Sequence, residues 1–156
     1  MRRACIVRRT LVLGIGNILM RDEGVGVRVI EAMRDLPMPA DVELLDGGTS
    51  GVDLVDEVAD RTKVIVIDAV KTDGKPGTTF RFGPADLIRD TERALSLHEF
   101  GLLETLMAAE HLGCAPKEVV IFGIQPKEVS VGLELSAEVA EALPKVIELV
   151  LAEAEA

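Results

Sequence analysis

Four side chains able to bind a metal or carry acid–base chemistry fall where a parallel sheet would present them: Glu23, Asp46, Asp68 and His98. Carboxylates are hard oxygen donors and imidazole is a borderline nitrogen donor. Glu23, Asp68 and His98 therefore suit a divalent metal with open coordination positions. Their long separations match no short metal motif, and each has a structural reading. Glu23 in a first helical turn gains from the helix dipole. Asp68 can cap the loop that follows it, and His98 alone can be a satisfied surface histidine. Gly24 and Gly26, just after Glu23, tilt the balance. Each costs about 1 kcal/mol against alanine inside a helix. Such local rule-breaking is expected where backbone approaches a ligand.

Other chemistries fit less well. His98-Glu99 fails the HExxH test because position 102 is leucine. Ser50 in GTSG is not a GxSxG elbow. Neither Cys5 nor Cys114 has a base or cationic setting that would mark a reactive thiol. Gly14-Ile-Gly16 invites a dinucleotide reading, but Leu19 stands where the third glycine belongs and Asp46 falls too far along to meet the ribose. His111, near a helix end, reads as a dipole partner.

The elements that must position these residues alternate between short aliphatic runs and amphipathic stretches, the pattern of an α/β protein. Thr10 to Ile15 reads as a first strand, and Val25, Val29, Met33 and Leu36 recur at helical spacing from Asp22 onward. Val42 to Leu45 reads as a second strand ending at Asp46 and the turn GGTSG. Ser50 with Asp53 forms a capping box for a helix to about Ala59. Lys63 to Asp68 is a β-branched strand buried on both faces. Thr78 to Phe82 suggests an antiparallel edge strand after the turn KTDGKPG. Ser96 and Glu99 open a helix that closes at Gly113, and Glu118 to Ile124 is a further buried strand. Ser136 caps a final helix whose Val139, Leu143, Val146, Ile147 and Val150 face the core, with a bend at Pro144. Ligands of an open α/β sheet collect beyond the carboxyl ends of its strands. Helices returning down the sheet start at that edge, so the four residues can meet there.

Composition bounds the rest. The chain has 156 residues, 48% hydrophobic and only 3% aromatic, so the core is aliphatic. That length fits one domain burying about 70% of its unfolded surface, with the basic leader 1–9 and the tail from about 152 to 156 loosely ordered. With 27 acidic against 17 basic side chains the formal charge is −10, which argues against nucleic acid. Arg2, Arg3, Arg8 and Arg9 sit in a leader that lacks the apolar run of a signal peptide. No stretch of roughly 18 apolar residues predicts a membrane span. Two cysteines outside any CxxC pair suit reduced thiols in the cytoplasm.

The segment Gly14-Ile-Gly16-Asn17-Ile-Leu-Met-Arg-Asp22-Glu23-Gly24-Val-Gly26 resembles the N-terminal motif of the [NiFe]-hydrogenase maturation endopeptidases. Asp46-Gly47-Gly48-Thr49 with Gly51, Asp68-Ala69, Ser96-Leu97-His98-Glu99 and Gly123-Ile124-Gln125-Pro126 follow in that family's order, so the resemblance runs from about Leu11 to Leu135. It implies a three-layer α/β/α fold on a twisted, mostly parallel five-stranded sheet. It also implies an endopeptidase that removes the C-terminal extension of the hydrogenase large-subunit precursor after nickel insertion. The family's metal-binding positions map onto Glu23, Asp68 and His98, and its DGGT aspartate onto Asp46, with a part in substrate positioning or cleavage. Nickel would arrive with the precursor, while zinc or cadmium could fill the site of the isolated protein. A rival reading is a nickel-binding accessory protein of hydrogenase assembly that cuts nothing.

Overall fold

A run of residues buried on both sides needs a layer of helices on each face, and three strands of this chain are such runs. The structure, a computed structural model, describes residues 9–49, 54–89 and 97–156. Strand β1 (Thr10–Ile15) is buried throughout, and β3 (Lys63–Ala69) and β5 (Glu118–Ile124) nearly so. With β2 (Val42–Gly48) and β4 (Thr79–Phe82) they form one sheet in the order β2-β1-β3-β5-β4. All neighbours are parallel except β4, which lies antiparallel to β5 at the edge, as its turn chemistry predicts.

Alternation along the strands splits the core in two. Val12, Ile65, Ile67, Val120 and Phe122 pack against α1 (Val25–Met33) and α5 (Ala137–Glu155). Leu11, Leu13, Val64, Val66 and Ile121 pack on the other face. There they meet α2 (Val55–Val58), α3 (Pro84–Arg89) and α4 (Leu97–His111). The architecture is three-layer α/β/α. Each fully buried aliphatic side chain is worth about 1.5–3 kcal/mol against exposure, so the two layers carry the stability that aromatics supply elsewhere.

Several expectations need correction. Strand β2 continues past Leu45 through the glycines to Gly48. Its pairing steps from Gly14↔Asp46 to Ile15↔Gly48, which leaves Gly47 as the extra residue of a bulge. The helix expected from Asp22 begins as a 3-10 turn over Arg21–Gly24 and becomes α-helical only at Val25. It ends at Met33, leaving Leu36 exposed. Helix α3 was not foreseen. Its signals are Pro84 in the first turn and Asp86, whose carboxylate accepts a hydrogen bond from the Gly83 N–H at 2.9 Å.

Helix α5 continues past Pro144, which removes the N–H that would reach the Ala140 carbonyl. It also takes up the tail expected to be loose. Lys63 Nζ donates to the Glu153 carbonyl at 2.9 Å, and Arg81 grips both Glu153 carboxylate oxygens at 2.9 and 3.1 Å. The leader with Arg2, Arg3, Arg8 and Cys5, the Ser50–Asp53 box and the Ser96 cap lie outside the described residues. Cys114 is a free thiol. Among the described residues no helix is long and apolar enough to cross a membrane.

Candidate active site

Strand β1 is the topological switch point of the sheet. The chain leaves it for β2 on one side and then returns to place β3 on the other. A crevice opens beyond the carboxyl ends of the strands at such a point. The turn after β1, the bulged end of β2 and the last residues of β3 all meet there.

Close packing of backbone makes this edge possible. Gly16 has φ +134°, and a Cβ on it would strike the Glu23 carbonyl and lie 3.6 Å from Asp68 Oδ1. A Cβ on Gly26 would collide with the Ile67 carbonyl and sit 2.6 Å from the Ile15 carbonyl. The glycines singled out in the sequence thus serve a different approach from the one expected. Gly26 lets the start of α1 press against the ends of β1 and β3, and Gly24 lets the 3-10 turn close on Ile18, where a Cβ would lie 2.7 Å from the Ile18 Cα.

Asp68 and His98 come together. Asp68 is almost wholly buried at the end of β3, where its Oδ1 accepts the Ala69 N–H at 2.8 Å. His98, in the first turn of α4, places Nδ1 3.8 Å from that same oxygen, with its side chain 14% exposed. That separation is beyond a hydrogen bond and leaves an oxygen and a nitrogen donor side by side. Glu23 stands half-buried on the 3-10 turn, its N–H bonded to the Met20 carbonyl at 3.2 Å. Among the described residues no three His, Cys, Asp or Glu side chains converge into a metal cage. Asp68 and His98 are brought together, and the 3-10 turn that carries Glu23 packs against β3.

Asp46 belongs to an adjoining cleft. It is exposed, pairs with Gly14 across the β1–β2 ladder, and accepts the Gly48 N–H through Oδ1 at 2.9 Å. The cleft measures about 290 Å³ and is lined by Gly16, Asn17, Ile18, Leu19 and Val27 facing Asp46, Gly48 and Thr49. Gly16 is the common wall, touching the cleft on one side and the neighbourhood of Asp68 on the other. His111 ends α4, where a cation complements the helix dipole.

Two supporting residues were missed. Asn17 Oδ1 accepts the Leu19 N–H at 2.9 Å and fixes the turn that floors the cleft. Asp22, at the expected helix start, is fully buried and ties the 3-10 turn to the loop after β5. Its Oδ2 accepts the N–H groups of Lys127 and Glu128 at 2.9 and 2.8 Å and the Ser136 hydroxyl at 2.8 Å, and its Oδ1 accepts the Ser136 N–H at 2.8 Å. Burial alone would push this carboxyl up. The backbone bonds from Glu128, Ser136 and Lys127, joined by the Ser136 hydroxyl, outweigh it and hold it below its ordinary value. The Ser136 side chain is therefore spent on Asp22 and makes no cap bond to α5. Gln125 braces the loop beyond Asp68, accepting both the N–H and the hydroxyl of Thr72 through Oε1.

Fold and site define an open α/β protein with an acid–imidazole pair and an adjoining cleft at the switch point of its sheet. The profile of the hydrogenase maturation protease family, HycI, matches residues 27–153. The chain is 36% identical over 152 residues to the hydrogenase 2 maturation protease of Escherichia coli, covering 92% of this chain and 89% of that one. It is 42% identical over 144 residues to the hydrogenase expression/formation protein HupD of Thiocapsa roseopersicina, covering 90% of this chain but only 65% of HupD. The solved hydrogenase maturating endopeptidase HybD of E. coli superposes with a TM-score of 0.85 at 36% identity over 93% of this chain and 91% of that one. The [NiFe] hydrogenase maturation protease HybD of Thermococcus kodakarensis gives 0.77 at 28% identity, covering 94% and 99%. The chain belongs to the hydrogenase maturation protease family, and its class is that of the peptidases.

Proposed function

We propose that this chain is the endopeptidase that removes the C-terminal extension of a [NiFe]-hydrogenase large-subunit precursor once nickel is in place. It would recognise that nickel through Glu23, Asp68 and His98. The observation that carries the reading is the approach of His98 Nδ1 to Asp68 Oδ1 at 3.8 Å on the edge where the sheet reverses. Two donors side by side, with a third carboxylate on the next turn, leave coordination positions for ligands that come with the metal. The nickel is part of the substrate, held by the precursor's thiolates, and its engagement by these residues gates cleavage. Zinc or cadmium would suit the same oxygen and nitrogen donors in the isolated protein.

The neighbouring cleft takes the polypeptide. Asp46, held by Gly48, orients the segment to be cut, and water adds across the peptide bond to give a carboxylate and an amine. Asn17 and Gly16 shape the floor on which the segment lies. Binding energy from the metal raises the cleavage rate only if it is realised in the transition state, so recognition and catalysis are separable here. The free Cys114 thiol agrees with a reducing, cytoplasmic setting.

The test is the intact mass of the cognate precursor after incubation with this protein, nickel-loaded and nickel-free. Loss of a C-terminal peptide from the loaded sample alone is the expected result. Cutting in both samples would remove the nickel checkpoint. An unchanged mass despite a stable complex would replace the protease by a nickel-binding accessory protein.

A further inference from the structure

Large apolar side chains left open to solvent forfeit their burial energy, and a contiguous group of them marks a contact surface. Leu19, Val131 and Leu133 are 58%, 84% and 60% exposed. They lie on two segments joined through backbone. The Gly132 N–H donates to the Leu19 carbonyl at 2.9 Å, and the Arg21 N–H donates to the Gly132 carbonyl at 3.0 Å. The ridge they form stands on a braced frame. Asp22 holds Lys127, Glu128 and Ser136 on either side of it, and the Arg28 guanidinium holds the Leu133 carbonyl at 2.9 Å. A braced backbone leaves only side-chain freedom to be lost when these residues are covered.

Leu19 belongs to this ridge and also lines the cleft beside Asp46. Leu19 therefore joins the cleft to the ridge. We infer that Leu19, Val131 and Leu133 dock an apolar stretch of the substrate polypeptide that flanks the segment seated beside Asp46. The inference rests on the endopeptidase reading and adds to it a second point of recognition that does not involve nickel. Precursor selection then has two separable parts. The ridge contributes affinity to every precursor, loaded or not, and Asp68 with His98 adds affinity only for the loaded form.

The test uses full-length protein and purified precursor, nickel-loaded and nickel-free, with Kd from titration and KM and kcat from cleavage. The double variant Val131→Asp/Leu133→Asp should weaken binding of both forms by the same factor, about tenfold for a lost apolar anchor. KM should rise by a similar factor while kcat and the melting temperature stay put. Met107→Asp, equally exposed on α4, serves as the control and should change nothing. His98→Ala should weaken the loaded form alone. Unchanged Kd and KM in the double variant would overturn the ridge. So would self-association of the wild type that the double variant abolishes without altering precursor affinity, because a second copy would then be the occupant. A wild type that binds the loaded precursor without cutting it would defeat the endopeptidase reading, while the Kd ratio still judges the ridge. A wild type that binds neither form would defeat both.

Discussion

Asp22→Asn probes the joint between the turn that carries Glu23 and the loop after β5 with the smallest change in shape. The carboxylate is 0% exposed and accepts four hydrogen bonds, three at Oδ2 and one at Oδ1. An amide must put an NH2 group in place of one oxygen. Its better choice is Oδ1, where only the Ser136 N–H loses its acceptor and faces a second donor. One buried unpaired donor costs about 1–3 kcal/mol. The three surviving bonds lose their charge assistance, and charge-assisted bonds are roughly twice as strong as neutral ones. Together these give a loss of about 3 kcal/mol, or about 6–12 °C in melting temperature for a chain of this size. Asp22→Ala strands all four donors and should cost more, near the upper end for a single substitution. Urea and thermal unfolding at pH 7 measure both. The acid limb gives an independent sign. The folded carboxyl titrates below its ordinary 3.8, so its contribution is fully present above that value and fades as pH falls through the folded-state value. Asp22→Asn should flatten that limb. A melting temperature within about 1 °C of wild type, with the acid limb unchanged, would refute the reasoning.

His98→Ala should abolish cleavage of nickel-loaded precursor while lowering the melting temperature by no more than about 4 °C, since 1 kcal/mol corresponds to about 2–4 °C at this length. Paired activity and melting assays decide it, and a variant that unfolds would make His98 structural. Glu153→Gln should destabilise by about 1–2 kcal/mol at pH 7 through its weakened bonds to Arg81 and Lys63. The Arg81 bond, against the opposing effect of burial and with Lys63 assisting, holds this carboxyl below 4.5. Its share of the stability is therefore present above 4.5 and lost on acidification, which a pH series of melts would show. Gly26→Ala reverses the usual helix preference. Alanine is ordinarily better by about 1 kcal/mol in a helix, but here its Cβ meets the Ile67 and Ile15 carbonyls, so the variant should lose about 3 kcal/mol. A stabilised variant in urea unfolding would contradict the close packing.

Strands buried on both faces were the easiest to read, because β1, β3 and β5 are aliphatic runs with no solvent side to blur the signal. The full reach of β2 was hidden because Asp46-Gly47-Gly48 has the chemistry of a turn, and only its pairing with Gly14 and Ile15 keeps it in the sheet. Six residues are too few to show a helical period, so α3 was visible only in the Pro84–Asp86 pattern. Asp68 at a strand end and His98 at a helix start were legible by position, and the fold brings them together. The separate cleft at Asp46 was not legible, since it depends on how two glycine turns face each other. Nor was the work of Asp22, whose partners are 105 to 114 positions further on.

That last separation bears on the order in which the molecule assembles. Bonds spanning so much chain form only after the intervening loops have closed, and such closures are entropically late events in folding. The turn bearing Glu23 is held from below by the loop after β5, and that loop is pinned at Ser136, where α5 begins. A chain whose final helix has not yet docked lacks the Ser136 half of this brace. Its sheet can be largely formed while its reactive edge is still unmade. The setting of the turn that carries Glu23 therefore waits on chain more than a hundred residues further along.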